Sequence, residues 1–297
     1  MRDRAANGRD RQKVNKRQEW TDRLATDRLG QFGIGVVLAL LVLAALGPVV
    51  SPYDPVEQDL SNRLESPSLS HPFGTDQLGR DVLTRLVHGA RFSLGIAVAV
   101  TTVRLIMGTA VGLVAGYAGG WIDEALMRLV DILLAFPGIV LALVIAGILG
   151  PSLVNVMLAL AVVGWASYAR LVRSSVLSLR EREFVSAARL LGRSRAHIAI
   201  RHLLPNVVAP VVVLATLDIG SVILGTAGLS FLGLGAQPPT PEWGTMLASG
   251  RSYLRQAWWL VNAPGLCIML TVLGFNLLGD SLREMLSPTQ TAQMEEL

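Results

Sequence analysis

Lysine is almost missing from this chain of 297 residues: Lys13 and Lys16 are the only two. A Walker A turn that cradles phosphates needs a lysine behind a glycine-rich loop. Neither lysine stands in one, so no ATPase site of that kind is expected here. Cysteine is scarcer still. Cys267 is alone, which excludes an intramolecular disulfide and leaves the redox compartment unread. The four histidines, His71, His88, His197 and His202, are scattered, with no two at metal-ligand spacing in one apolar segment. His197 and His202 read as solvated loop residues, and no metal site is expected. No Ser/His/Asp set or catalytic carboxylate pair stands out, so enzymatic activity is not expected in this chain. Charge is sparse as well: 16% of residues, against roughly 25% in soluble domains.

Apolar residues take the place of charge, at 52% of the chain with a mean hydropathy of +0.49. Runs of about 20 residues, long enough to cross a bilayer, recur at 32–50, 92–115, 125–150, 153–171, 207–229 and 258–278. Lipid offers no partner to backbone groups, and the period-2 alternation of a barrel is absent, so the expected fold is six transmembrane helices. The first run is longer than the 7–15 residues usual in a signal peptide and reads as a retained helix.

The net charge of +4 is distributed as a topology signal rather than a nucleic-acid surface. Nine basic residues precede the first run, and eight arginines fill an island between Arg170 and Arg201. With six spans both regions lie on one side, and the positive-inside rule makes that side cytoplasmic. The expected division is a cytoplasmic arm over 1–31, a transmembrane domain over 32–280 and a cytoplasmic tail over 281–297. Within the domain lie an outer segment at 51–91 and a cytoplasmic loop at 172–205. The very short turn at 150–152 predicts that spans three and four pack as an antiparallel pair.

The island is the most informative stretch. Phe184, Ala187, Ala188 and Leu191 recur at i, i+3, i+4 and i+7, one face of a helix. Ala187 and Ala188 are small enough for a partner to approach the backbone, and Gly192 suits the end of the helix. A second short helix over 195–203 is expected to lead to Pro205 at the start of span five. Read from the residues alone, the same face also fits an amphipathic helix lying on lipid headgroups.

Ala187, Ala188, Gly192, Leu204 and Pro205 resemble the Glu-Ala-Ala loop of ABC importer permeases. The likeness extends through HisProPheGlyThrAspGlnLeuGlyArgAsp at 71–81, AspIleLeuLeuAlaPheProGly at 131–138, GlyLeuSerPheLeuGlyLeuGly at 228–235 and AsnLeuLeuGlyAspSerLeuArg at 276–283. These motifs resemble the second, C-type permease of dipeptide, oligopeptide and nickel importers. The resemblance implies half of a pore shared with a homologous second permease in a bacterial inner membrane. It further implies two ATP-binding subunits that hold ATP and Mg on the cytoplasmic face, and an extracytoplasmic solute-binding protein. Glu183, Phe184, Ser186, Ala187, Ala188, Leu191, Gly192 and Pro205 are then the ATPase-coupling candidates. The chain departs from the family at the loop's namesake acidic position, which is Ser186; Glu183 lies one turn earlier.

Charges inside spans are costly and point to pathways or packing. Arg104 lies near the middle of span two, outside any family motif. It is expected either to line the path or, preferably, to pair with a carboxylate such as Asp218. Asp131 matches the family and suggests helix packing. In the outer segment Thr75, Asp76, Arg80 and Asp81 offer turn chemistry for a platform over the pore mouth. A secondary transporter driven by an ion gradient is the alternative. It predicts repeats and discontinuous helices with midplane acids; no repeat is visible and Asp218 is the one acid that suits.

Overall fold

A computed structural model describes residues 27–286. The basic arm before residue 27 and the tail after residue 286 lie outside the described residues. Ten helices account for most of that range: α1 Arg28–Val50, α2 Val82–Ala118, α3 Gly120–Ala135, α4 Gly138–Leu149, α5 Leu153–Arg180, α6 Glu183–Leu190, α7 Arg195–Ile198, α8 Leu204–Phe231, α9 Trp243–Gly250 and α10 Trp259–Leu286. Five helical runs pass as spans by length and composition, with α7, a π turn over Ala199–Leu203 and α8 counted as one run. No strand occurs among the described residues.

The third expected span is corrected. Residues 125–150 are not one helix; α3 and α4 meet at Pro137 with a bend of 90°. Proline lacks the N–H that would continue the ladder and crowds the preceding turn, so the helix breaks there. The pair still counts as one crossing, because α2 and α5 run parallel and the chain must return between them.

That parallel pairing is set by glycine. Gly108, Gly112 and Gly116 lie at i, i+4 and i+8 on α2, facing Tyr168, Ala169 and Val176 of α5. A Cβ on any of them would fall closer than 3.0 Å to α5. Close backbone approach of this kind is how helices gain contact in lipid, where the hydrophobic effect supplies none. The α2–α5 contact is the most extensive helix pairing among the described residues.

The other helices assemble around this pair. Helix α10 packs on α8, with Gly279 seated against Leu217, and on α1, where Gly274 meets Val36. Helices α4 and α5 form the expected antiparallel pair, with Gly150 at φ +88° in the turn and Asn155 capping the carbonyls of Leu149 and Gly150. One end of the bundle thus carries the start of α1, the ends of α2, α5 and α10, and the island. The outward faces are apolar, with Leu38, Val42, Ile106, Val144 and Leu224 among the exposed side chains. A bilayer covers such faces.

Candidate functional site: a basic groove and a buried ion pair

The island folds as the periodicity predicts, as α6 followed by α7. Helix α6 ends in a Schellman motif. Gly192 takes φ +71°, its N–H bonds the Arg189 carbonyl at 3.0 Å, and the Arg193 N–H bonds that of Ala188 at 3.2 Å. Ser194 then caps α7 by accepting from the His197 N–H. The π turn follows, just ahead of Pro205, which has no N–H to give the preceding turn.

Val185 and Ala188 anchor α6 to the bundle. They are buried with Ile198, Leu203 and Val207 against Tyr168, Val172 and Val176 of α5. Ala188 is shared between this inner contact, where it is buried, and the face it forms with Phe184, Ala187 and Leu191, whereas Ala187 is exposed. Val185 was not singled out, because valine in a polar island gives no sign of which way the helix rolls. Arg189 stacks its guanidinium over the Tyr117 ring at 5.9 Å and ties α6 to the end of α2.

Between α6 and the α7–π segment opens a cavity of about 760 Å³. Phe184, Ala187, Ala188 and Leu191 form one wall; Ala196, His197, Ile200 and His202 form the other, with Arg193 and Arg201 also lining it. His197 and His202 are drawn together, ring centroids 5.8 Å apart, with Phe184 beside His202 at 6.4 Å. They are groove residues, not scattered loop residues. No group of three metal-ligating side chains exists among the described residues. Glu183, Ser186 and Pro205 are exposed and lie outside the groove lining, while Gly192 shapes the turn beneath it.

Deeper in the bundle, Arg104 is buried and bonded on all three of its nitrogens. Its Nε and Nη2 donate to the Leu160 carbonyl at 2.9 and 2.7 Å, and its Nη1 donates to Asp218 Oδ1 at 2.8 Å. Tyr168 donates its hydroxyl to Asp218 Oδ2 at 3.0 Å. Gly164 makes the room: a Cβ there would lie closer than 3.0 Å to the guanidinium. Three of the five guanidinium donors of Arg104 are thus spent on α5 and α8. Asp131 is elsewhere, on α3, paired with Arg170 at 2.6 Å with both side chains more than half exposed. Asp123, which was not singled out, takes Arg173 in a two-pronged pair at 2.5 and 2.7 Å. Near these pairs a second cavity of about 920 Å³ opens between α3, α5, α8 and α10, lined by Leu134, Ser167, Arg170, Pro210 and Arg283 among others.

At the opposite end the outer segment forms a folded cap. Thr75, Asp76, Arg80 and Asp81 are all buried. Asp76 accepts from Arg80 Nε at 2.7 Å and faces Arg85 at 3.5 Å. Asp81 caps α2 through the Thr84 N–H at 2.7 Å and meets His71 at 3.0 Å. The Thr75 hydroxyl bonds Asn62, and the Thr75 carbonyl accepts from Trp259 Nε1 at 3.1 Å. Asp59 caps the turn Leu60–Asn62, and the Ser61 hydroxyl and N–H hold its carboxyl below the usual range. Sequence reasoning passed over the buried Glu242, which caps α9 at Gly244 and Thr245, and Trp243, whose indole donates to Leu86. A proline-rich neighbourhood hid both.

Comparison with known proteins agrees with this architecture. Residues 108–291 match the family described as binding-protein-dependent transport system inner membrane component, and residues 17–67 match the N-terminal TM domain of oligopeptide transport permease C. The dipeptide transport system permease protein of Alkalihalophilus pseudofirmus is 47% identical over 93% of this chain and 90% of its own length. The nickel transport system permease protein of Escherichia coli K12 is 44% identical, covering 91% and 94%. A glutathione transport system permease protein of Escherichia coli is 46% identical, covering 85% and 84%. In fold, the chain is similar to a chain of the MetNI methionine ABC transporter in an inward-facing conformation, with a TM-score of 0.55 at 20% identity, over 67% of this chain and 95% of that one. The chain therefore belongs to the inner membrane components of binding-protein-dependent transport systems, as a C-type permease subunit of an ABC importer.

Proposed function

We propose that the chain forms one half of a translocation pore for peptides, with a homologous second permease as the other half. The groove between α6 and the α7–π segment receives an ATP-binding subunit, one of two on the complex. The observation that carries this reading is the groove itself. It joins the small, exposed Ala187 to Arg193 and Arg201, which have no ion pair among the described residues, beside the long helical run leading into α8. ATP and Mg belong to the partner subunits, since this chain lacks the lysine loop that would hold them. The groove end is taken as cytoplasmic, because the eight arginines of the island concentrate there. Residues 1–31 and 281–297 are assigned to that side, and the segment 51–91 faces the binding protein outside.

Nucleotide binding favours one arrangement of the two ATP-binding subunits, and the groove passes that preference to the spans. The cavity between α3, α5, α8 and α10 supplies the cytoplasmic half of the path. Peptide cargo is the reading that the dipeptide and glutathione relatives support; the nickel relative marks a neighbouring cargo class. The discontinuous α3–α4 span does not favour an ion-gradient carrier, because Asp218, the acid such a carrier needs, is neutralised by Arg104.

Ala187→Trp tests the docking role. Ala187 is exposed, so the substitution leaves the packing of α6 on α5 intact, whereas Ala188→Trp would disturb the buried contact as well. In a complex reconstituted with both permeases, both ATP-binding subunits and the binding protein, the variant is expected to lose the ATP-binding subunits or their coupling to uptake. Normal stoichiometry with full uptake would reject docking in this groove.

A further inference from the structure

We propose that Asp218 is the positioning residue that makes α8 and the α2–α5 pair move together when the docking groove is displaced, so that the Arg104–Asp218–Tyr168 cluster is a coupling joint rather than a packing filler. The proposal rests on the docking role of the groove argued above. Three observations carry it.

First, α2 and α5 are held as one body. Arg104, Gly108, Gly112 and Gly116 fall on one line along α2, and every one of them touches α5 directly. Second, Asp218 accepts both of the hydrogen bonds that α8 makes to that body among the described residues, one from Arg104 on α2 and one from Tyr168 on α5. Apolar helix faces can slide by fractions of a turn, but a largely enclosed carboxylate, its side chain 14% exposed, held from two sides has one satisfied position. Third, Asp218 lies on the helical run Arg195–Phe231, whose first residues, from Ala196 to His202, supply one wall of the groove. From Leu204 to Asp218 that run spans roughly 20 Å. A push on the groove therefore arrives at a carboxylate already gripped by α2 and α5. Gly164 shows that the site is built for this grip, since any side chain there would displace the Arg104 guanidinium.

The test uses the importer reconstituted in liposomes from both permeases, both ATP-binding subunits and the binding protein. Arg104→Leu combined with Asp218→Leu removes both charges together, leaving neither ion buried without its partner, and is expected to assemble. ATP-binding subunits should be retained as in the unmodified complex and hydrolysis should continue. Solute taken up per ATP should fall about tenfold, within the usual range of coupling between sites. Assembled double variant with unchanged uptake per ATP would overturn the proposal. A second measurement does not depend on that variant folding. Spin labels at Ile106 on α2 and Leu224 on α8, both exposed, are placed in a Cys267→Ser background. The joint requires their separation to stay the same between nucleotide-free and ATP-trapped complex, and to change in Asp218→Asn. A change in the chain with Asp218 intact would overturn it. Failure of the unmodified chain to retain ATP-binding subunits would instead count against the docking groove, so the two ideas fail separately.

Discussion

The two ends of the bundle use the same side chains in opposite ways. At the cap, Asp76, Arg80, Asp81 and Arg85 are each no more than 6% exposed, and each has a charged or backbone partner. At the groove, Arg193 and Arg201 stand exposed, with no ion pair to any described residue. Charge at the cap closes the fold on itself, and charge at the groove is left for something else to meet. The lesson is that an arginine-rich stretch announces a partner only where the chain does not answer its own charges.

Removing a carboxylate from the cap gives the sharpest contrast. Asp76→Ala leaves Arg80 and Arg85 buried without their counter-ion, and a pair broken on one side costs about 3–5 kcal/mol. Thermal unfolding in detergent is expected to show that loss, with the segment 51–81 becoming open to protease first. A cap that stays protected would mean its charges are ornamental. Next in size is Gly112→Leu, which drives bulk into the α2–α5 seam; overpacking typically costs about 1–3 kcal/mol. Lower yield of folded protein and a lower melting temperature are the expected readings. The smallest effect on folding belongs to the groove. Arg193→Ala with Arg201→Ala should shift stability by no more than about 0.5 kcal/mol, as exposed changes do. Yet this double variant should weaken retention of the ATP-binding subunits, and the loss should shrink as salt rises because exposed charges are screened. A stability loss comparable to Asp76→Ala would erase the distinction between the two ends.

Much of this was open to a reader of the sequence, and the parts that were hidden share a cause. Hydropathy located the spans because lipid demands apolar length. It passed over the break at Pro137, although Phe136–Pro137–Gly138 was in plain view, because apolarity continues across the bend. The 3.6-residue period found the groove wall but not the roll of α6, which depends on where Val172 and Val176 of α5 stand. The cap residues were seen as turn formers. Their burial comes from Gly74 and Gly79, at φ +68° and +76°, which fold the segment back on Trp259 and Asp59. The glycine line on α2 was legible as spacing, since Gly108, Gly112 and Gly116 recur every four residues. Only the partner helix reveals what that spacing is for.

The bend at Pro137 has a consequence for the surrounding bilayer. Helix α3 carries Asp123, Glu124, Arg128 and Asp131, so the apolar crossing on that flank falls to the 12 residues of α4. Twelve helical residues reach about 18 Å, against a hydrocarbon thickness of about 30 Å. Helix α2, with 37 residues, is far longer than that thickness. One flank is therefore too short for the membrane and another too long. Wherever lipid rather than protein borders α4, the leaflets must pinch inward, and mismatch of this kind costs fractions of a kcal/mol per Å. The thickness of the host membrane thus acts on this subunit unevenly, pressing on the elbow while leaving α2 to tilt.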